Sequence, residues 1–513
     1  MRGAFRGRQR VHDWQYENWD IGVKFQVFRD GKIVHDFTLS GAYLFGTDGI
    51  SIRRTKIALA NGGIECFRPN LETAGLALLW PVEGFGKIML PTTCVPERDR
   101  PYILNVELAR AKLMQIVNRR EDWSFFDSLE GMEEIAKQSQ DLFTKAIQNI
   151  RDAPAASQLA DASLRRAMVY SEKLAVRQGK SVFDKRRKSH GFGRGCLGCR
   201  ANPDLILKSQ YLDALLEVFA SVTLPINWAK IEARQGHFDF SLIDSCVGIL
   251  SRKKVVISAG PLLRFTADSL PDWLFRSGAG FEKIRELAYQ FVSKVVARYA
   301  TVVHRWYVIG GLNAFNQLNF NFEQILEMTR AANMAVRAAG SRAVRIVEVS
   351  SPWGEYYATT PNSIPPFVYM DMVVQSGTSF DAFSLQMHFG KDETGMHLRD
   401  MLQISSLLDC FAPVAKPLYV TDVEIPSQNG VGPFDPDVAG VWHRRWDPTR
   451  QSQWLERFYK VALSKPYVEA VNYGALADGD GGAIAYSGLL TEQLEPKESF
   501  KTLKRLYLSM FKR

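Results

Sequence analysis

The first hundred residues alternate between apolar and polar positions with a period of two. The segments GVKFQVFRDGKIVHDFTL and GISIRRTKIALANGGIECFRP carry this alternation on both sides of a short turn sequence, RDGK in the first and NGG in the second. Alternation around glycine-containing turns is typical of β-hairpins that bury one face. We therefore predict a β-sandwich-like N-terminal domain over residues 1–100.

Between residues 101 and 189 the apolar positions recur every three to four residues, which is the period of an amphipathic helix. Three segments carry this period: LNVELARAKLMQIVNRREDWSFF, GMEEIAKQSQDLFTKAIQNI and SQLADASLRRAMVYSEKLAVRQ. We predict a helical linker segment over residues 101–189. The basic cluster DKRRKSH at its end is interpreted as a solvated charged loop.

From residue 190 onwards, short apolar runs alternate with helical segments. The strand candidates are GFGRGCLG, ASVTLPI, KVVISAGPL, HRWYVIGG, VRIVEVSS, AFSLQMHF, PLYVTDVEI and VEAVNYGAL. Eight strands that alternate with helices predict a (β/α)8 TIM barrel, which we place at residues 190–513. The predicted fold class is therefore α/β, with the sheet-rich domain and the helical linker preceding the barrel.

The composition excludes several classes of protein. The 513 residues carry a formal net charge of +9, but the basic residues are dispersed, so we predict no nucleic-acid partner. No apolar run approaches the length of a membrane span and no secretion signal is visible, which predicts no membrane span and a cytoplasmic location by default, with export by another route left open. The six scattered cysteines favour free thiols, and we predict no metal and no cofactor. The sequence does not indicate an oligomeric state.

The functional residues of such a barrel follow the C-terminal ends of its strands. The predicted strand ends are rich in carboxylates, amides and aromatic rings, a composition that suits sugars. We therefore expect a polysaccharide or oligosaccharide as the partner. The candidate catalytic carboxylates are Glu348, Glu355, Asp422 and Glu424. The candidate sugar-binding residues are Trp228, Asn313, Asn316, Trp353, Gln386, His388 and Trp442.

Several motifs occur in the order found in family-ten glycoside hydrolases, the retaining endo-β-1,4-xylanase family. INWAKIEARQGHFDFSLID resembles that family's strand-two region, SLPDWL its P-x-W element, SLQMH its Q-x-H element and YVTDVEIP its nucleophile strand. The resemblance covers residues 190–510, and the N-terminal part is similar to family-ten-like proteins of the planctomycete group. It implies a TIM barrel that hydrolyses a β-linked glycan such as xylan, with Gln386 and His388 binding sugar.

The sequence departs from the family at the positions that carry the chemistry. Gly310 and Gly311 stand where the family has an Asn–Glu pair whose Glu is the acid/base. Asp422 stands at the position of the nucleophile Glu and is one methylene shorter, with Glu424 two residues further on. The resemblance therefore implies a glycosidase barrel in which glycines occupy the place of the proton donor.

Three hypotheses of function stay open at this point. In the first, the chain is a retaining glycoside hydrolase whose acid is Glu348 or Glu355 and whose opposing carboxylate is Asp422 or Glu424. In the second, the barrel is catalytically inactive and binds carbohydrate without cleaving it. In the third, the chain is a structural or assembly protein. A pair of carboxyl groups in the mouth, about 5–10 Å apart, separates the first hypothesis from the second.

Overall fold

The computed structural model describes residues 22–60, 62–70, 72–123, 131–189 and 191–511. The first 21 residues of the predicted N-terminal domain and His190 lie outside the described residues. The N-terminal strands are β1 (Gly22–Gln26), β2 (Phe28–Arg29), β3 (Lys32–Ile33), β4 (Tyr43–Phe45), β5 (Lys56–Ala60), β6 (Gly63–Phe67), β7 (Gly75–Val82), β8 (Gly86–Pro91) and β9 (Tyr102–Ile103).

These strands form two four-stranded sheets and a two-stranded hairpin. One sheet has the strand order β5-β6-β1-β9, and the other contains β8, β7 and β4. The alternation seen in the sequence is the cause of their packing: Phe25, Ile64, Leu78 and Leu90, which come from both sheets, belong to one buried cluster. The sheet-rich region is thus present as predicted, whereas the boundaries at residues 100 and 189 stay predictions.

Three helices follow: α1 (Leu104–Asp122), α2 (Glu133–Gln148) and α3 (Ala153–Ser189). The interpretation of DKRRKSH as a solvated loop is wrong, because its residues up to Ser189 continue α3. Arg186 explains the difference. Its Nη1 donates to the carbonyl oxygens of Leu463, Lys465 and Val468 at 2.8–3.1 Å, which ties the end of α3 to the barrel.

The predicted (β/α)8 barrel is confirmed. Its parallel strands are β10 (Leu197–Arg200), β11 (Ser221–Leu224), β12 (Val256–Ala259), a two-residue extension β13 (Leu263–Arg264), β14 (Arg305–Gly310), β15 (Val344–Val349), β16 (Ala382–His388), β17 (Leu418–Glu424) and, after the short β18 (Val441–Trp442), β19 (Val468–Tyr473). The sheet closes because β10 pairs with both β11 and β19. The first strand occupies LGCR, which comprises the last two residues of the predicted run and the two residues after it.

The helices of the barrel region are α4 (Pro203–Ile206), α5 (Ser209–Val218), α6 (Trp228–Ile231), α7 (Ser241–Arg252), α8 (Asp272–Arg276), α9 (Phe281–Tyr299), α10 (Phe322–Ala338), α11 (Pro366–Gln375), α12 (Met401–Cys410), α13 (Pro436–Ala439), α14 (Pro448–Ser464) and α15 (Glu498–Phe511). Short 3₁₀ turns lie at Glu355–Ala358, Ala412–Val414 and Gly432–Phe434. Within the described residues, no helix combines the length and the apolar character that a membrane crossing requires.

The N-terminal sheets contact the loops of the barrel. The strand β18, which belongs to the barrel region in sequence, pairs antiparallel with β8 and thereby completes the second four-stranded sheet. The helix α1 also contacts the barrel region, because the ammonium group of Lys112 lies 2.7 Å from the carboxylate of Asp400 and both side chains are buried. The N-terminal strands therefore lie beside the barrel and do not enter its sheet.

Candidate functional site in the barrel mouth

Side chains along a barrel strand point alternately to the barrel interior and to the surrounding helices. Near the N-terminal ends of the strands, one buried cluster contains Tyr307, Ile346, Ala382, Tyr419 and Ala470. Towards the C-terminal ends, the corresponding positions become polar and then charged. The barrel is therefore a packed core at one end and a charged site at the other.

A β-bulge places the charged residues of β17. The ladder between β16 and β17 passes over Thr421, so that Gln386 pairs with Asp422 and His388 with Glu424. Bulges re-aim the side chains that follow them and are common next to active sites. As a result, Asp422 and Glu424 both reach the group formed with His388 and Gln386 at the mouth.

His388 and Asp422 form a buried ion pair. Nε2 of His388 lies 3.2 Å from Oδ1 of Asp422, and each side chain is 4% exposed. Burial alone would lower the pKa of His388, but the carboxylates of Asp422 and Glu424 outweigh it and raise that pKa. Burial would likewise raise the pKa of Asp422, but the charges of His388 and Arg200 outweigh it and hold the pKa well below the usual range. Asp422 is therefore ionised at neutral pH.

Glu424 is held by the loop that follows β19. Its Oε2 accepts hydrogen bonds from the backbone N–H of Ile484 at 2.9 Å and from the hydroxyl of Ser487 at 3.1 Å. Its Oε1 lies 3.6 Å from Nη2 of Arg200, the last residue of β10. These contacts fix the carboxylate of Glu424 in one orientation beside Asp422.

The spacing of three side chains would also suit a metal ion. One ligand atom each from His388, Asp422 and Glu424 lies within 4.8 Å of the others, and all three residues are buried. However, Arg200 lies 3.6 Å from Glu424 and 4.0 Å from Asp422. Arg200 therefore places a positive charge beside both carboxylates, and the raised pKa of His388 favours its charged form there.

Glu348, at the end of β15, is the third carboxyl group of the mouth. It is completely buried, and its Oε1 accepts a hydrogen bond from Nη2 of Arg264 at 2.5 Å and one from the hydroxyl of Ser350 at 3.3 Å. Burial and the negative charge on Asp422 both raise the pKa of Glu348. The positive charge of Arg264 opposes this shift but does not cancel it, so the pKa stays raised. The mouth therefore contains two interacting carboxyl groups whose pKa values are shifted in opposite directions.

The glycines of strand four are required by the packing of the mouth. A Cβ atom on Gly310 would lie 2.5 Å from Cγ of Pro261 and 3.2 Å from Oε1 of Glu348. Gly311 has a φ of +62°, and its Cβ would lie 2.3 Å from the hydroxyl oxygen of Ser350. Ser350 and Glu348 thus occupy the space that a side chain on strand four would need.

The structure brings Gln386 and His388 together with the carboxylates of the mouth. The side-chain oxygen of Gln386 accepts a hydrogen bond from Ser350 at 3.0 Å, and its side chain is half-buried. His388 is turned towards Asp422. Their assignment to sugar binding stays a prediction.

Glu355 lies at the junction with the N-terminal sheets. It forms an ion pair with Arg399, accepts a hydrogen bond from the backbone N–H of Gly395 at 2.6 Å, and lines a cavity with Tyr43 from β4. Its negative charge is matched by Arg399 and its second oxygen by a backbone donor. The structure therefore separates Glu355 from the group that contains Glu348 and Asp422.

The three tryptophans have structural contacts. Trp228 is 2% exposed, donates to Glu232 at 2.7 Å and stacks on Phe291 with ring centroids 5.0 Å apart. Trp442 is fully buried on β18. Trp353 lies under the guanidinium of Arg399 at 4.6 Å. The rings of Trp228 and Trp442 have no free face for a sugar, because the core surrounds them.

Asn313 and Asn316 use their amides within the loop after β14. Asn313 is buried and donates to the carbonyl of Ser350 at 2.9 Å. Asn316 donates to the carbonyls of Phe320 and Asn362 at 2.7 and 2.9 Å. Both side chains therefore shape the loop and leave no amide N–H for a sugar without breaking one of these bonds.

Two residues of the mouth, Arg200 and Arg264, were not among the predicted site residues. Each directly ends a strand, so the rule that selected Asp422 also applies to them. Beside Arg200 lies a cavity of about 390 Å³, which is also lined by Asn227 and Asp480 from the loops after β11 and β19.

No protein-family model matches the sequence, and no curated protein matches it. Among solved structures, xylanase 10B from Thermotoga petrophila in complex with xylobiose is similar, at 16% identity and a TM-score of 0.48, over 65% of this chain and 98% of that chain. Native xylanase 10B from Thermotoga maritima has 15% identity and a TM-score of 0.48, over 64% and 98%. A GH10 endoxylanase from a sugarcane soil metagenome has 15% identity and a TM-score of 0.49, over 64% and 98%. At 15–16% identity the likeness concerns the fold alone.

Proposed function

We propose that this chain is a glycoside hydrolase that cleaves a β-linked polysaccharide or oligosaccharide with retention of configuration. The observation that carries the proposal is the pair Asp422 and Glu348, two buried carboxyl groups whose pKa values move apart. Environments that push the pKa values of two carboxyl groups apart assign one as the base or nucleophile and the other as the acid. Asp422 is then the nucleophile, and Glu348 is the acid/base.

The reaction follows from these two protonation states. The ionised Asp422 attacks the anomeric carbon while Glu348 gives its proton to the leaving glycosidic oxygen, which yields a glycosyl ester on Asp422 and a free sugar hydroxyl. Glu348, now ionised, takes a proton from a water molecule, whose oxygen attacks the anomeric carbon and releases Asp422. His388 positions Asp422 through the ion pair, and Glu424 together with Arg200 fixes the cluster.

The release of reducing ends from a panel of β-linked polysaccharides, xylan among them, tests this proposal. The unmutated protein should release reducing ends from at least one member, and Asp422→Asn and Glu348→Gln should each abolish most of the release. Glu355→Gln is the matched control, because Glu355 is a buried carboxyl group on the same side of the barrel but is paired with Arg399. Equal losses in Glu348→Gln and Glu355→Gln would contradict the assignment of the acid.

A carbohydrate-binding protein on an inactive barrel is the second candidate, and one observation favours it. Arg264 lies against Glu348, and a positive charge there opposes the protonation that an acid catalyst needs. A protein that binds a β-linked oligosaccharide saturably and releases no reducing ends from it would support this second function and exclude the first.

A further inference from the structure

Within the cluster that contains Asp422, Glu424 and Glu348, the charged groups that solvent reaches are the guanidinium groups of Arg200 and Arg264. The side chain of Arg200 is 31% exposed and that of Arg264 is 20% exposed. The carboxyl groups lie deeper, since Asp422 is 4% exposed and Glu348 and Glu424 are 0% exposed. A ligand that reaches this cluster therefore meets the guanidinium groups before the carboxyl groups.

Both guanidinium groups keep donors free for a ligand. Arg200 donates from Nε to the carbonyl of Gly474 at 3.0 Å and from Nη2 to the carbonyl of Gly481 at 3.3 Å. Arg264 donates from Nη2 to Glu348. A guanidinium group has five N–H donors. Within the part of the chain that the structure describes, Nη1 of Arg200 and both Nε and Nη1 of Arg264 have no hydrogen-bond partner.

The two arginines approach the site from different strands. Arg200 ends β10, and Arg264 ends β13, beside Gly310 of β14. Each is close enough to Asp422 for its charge to act on that carboxylate. A sugar whose anomeric carbon lies at Asp422 would thus have a guanidinium group within reach on two sides.

We propose that the mouth selects an acidic sugar, one that carries a carboxylate or a sulfate ester, through Arg200 and Arg264. A guanidinium group presents a planar fork that matches the two oxygens of a carboxylate or sulfate, and such charge-assisted pairs are the strong hydrogen bonds of proteins. A neutral xylan-type chain would leave these donors to water. The inference rests on the proposed function for the position of the sugar, and it names the substrate class of that same site.

The cavity beside Arg200 does not extend this positive surface. It carries Lys230, but also Asp204, Asp239 and Asp480. The selection for an acidic group therefore depends on the two arginines at the carboxylates and not on the outer cavity. The formal net charge of +9 adds a general attraction for acidic chains, which raises the rate of association without deciding the sugar.

Two pairs of ligands test the proposal with the unmutated protein. Each pair has the same β-1,4 linkage and differs in one group: tetraglucuronate against cellotetraose, and tetramannuronate against mannotetraose. Isothermal titration calorimetry should show that an acidic member binds about 10- to 100-fold more tightly than its neutral counterpart at low ionic strength. A third arm uses a sulfated cellotetraose, which separates sulfate from carboxylate recognition. The preference should shrink as salt is added.

Variants locate the effect. Arg200→Lys and Arg264→Lys keep the charge and lose the fork, so each should reduce the preference for the acidic member several-fold while the protein stays folded. Lys24→Gln is the control for net charge, because Lys24 is half exposed on β1 of the N-terminal sheet, and it should leave the preference unchanged. An unchanged preference in both arginine variants would overturn the assignment to these residues.

The outcomes for the inference and for the proposed function are distinguishable. If no acidic member binds more tightly than its neutral counterpart, the inference is overturned, even if a neutral chain is cleaved and the hydrolase stands. If an acidic member binds more tightly and no reducing ends appear, the inference is supported and the hydrolase falls. Tighter binding together with cleavage of the acidic member supports both.

Discussion

Buried charges meet both at the junction where the N-terminal sheets and α1 contact the barrel and in the barrel mouth. At the junction, Lys112 and Asp400 are 2% and 0% exposed and lie 2.7 Å apart. The other oxygen of Asp400 accepts from the backbone N–H groups of Leu402 and Gln403, which caps α12. There, Lys112 lies against Asp400 and Arg399 against Glu355, so each of these charges has a direct partner of opposite sign.

In the mouth the charges are shared instead of paired. Asp422 interacts with His388, Arg200 and Arg264 at once, and its pKa is lowered by all three. The arginines are partly exposed, while the carboxylates lie beneath them. Burial alone therefore does not indicate a functional carboxyl group. A better indication is a carboxylate that interacts with several cations, some of which still have hydrogen-bond donors exposed to solvent.

The largest effect is expected for Asp422→Asn, which would break the mouth and leave the junction intact. Removing the nucleophile of an enzyme that works through a covalent intermediate costs on the order of 10⁶-fold in kcat. We expect a loss of that size in steady-state kinetics on the best substrate of the panel, together with cooperative thermal unfolding that shows a folded variant. A variant that keeps more than a tenth of the activity would exclude Asp422 as the nucleophile.

Glu348→Gln should have the next largest effect, since general acid catalysis typically contributes about 10²–10⁴-fold. The sign of the pH dependence follows from the two shifts. The lowered pKa of Asp422 places the acidic limb below the usual aspartate range, and the raised pKa of Glu348 extends the protonated form, and with it the activity, above the usual glutamate range.

The alkaline limb should therefore disappear in Glu348→Gln. Aryl glycosides, whose leaving groups need little protonation, should lose much less rate than natural chains in this variant. A pH profile that keeps its alkaline limb in Glu348→Gln would assign the acid to another group.

Lys112→Met tests the junction side of the comparison. Removing one partner of a buried ion pair costs about 3–5 kcal/mol, because the remaining charge is left buried without compensation. Urea denaturation should show this loss, whereas kcat per folded molecule should stay unchanged. The double variant Lys112→Met/Asp400→Asn should recover part of the stability. A loss of kcat at full stability would mean that the junction takes part in the site.

The fold was accessible from the sequence because the strands are short apolar runs at regular spacing. Seven of the eight barrel strands lie within the predicted runs, and the first begins at the end of GFGRGCLG and extends two residues beyond it. Two features were not accessible. The pairing of β18 with β8 joins residues far apart in sequence, and the continuation of α3 to Ser189 depends on carbonyl groups that Arg186 meets only in the folded chain.

The site was accessible only in part. The rule of strand ends found Glu348, Gln386, His388 and Asp422, because a parallel barrel brings those ends together. The rule could not separate Glu348, at the end of β15, from Glu355, in the loop that follows it. The partner of Glu355, Arg399, comes from the loop after β16. The sequence also could not distinguish a tryptophan that stacks on a sugar from one that packs in the core, as the buried rings of Trp228 and Trp442 show.

The smallest effect is expected at Asp161 on α3. Its carboxyl group is paired neither with one cation, as Asp400 is at the junction, nor with several, as Asp422 is in the mouth. Asn105 donates to its two oxygens at 2.9 Å, but burial raises the pKa of Asp161 to about 6. In the unfolded chain this carboxyl group ionises near 3.8, so between these values the folded protein binds one more proton and loses stability as pH rises from about 4 to 6.

Asp161→Asn removes this cost and keeps an acceptor for Asn105. We expect the variant to be more stable by about 1–2 kcal/mol at pH 7, discounted for partial exposure, and equal to the unmutated protein below about pH 4. Urea denaturation across this range is the measurement, and a difference that does not change with pH would show that the carboxyl group is solvated in the native protein.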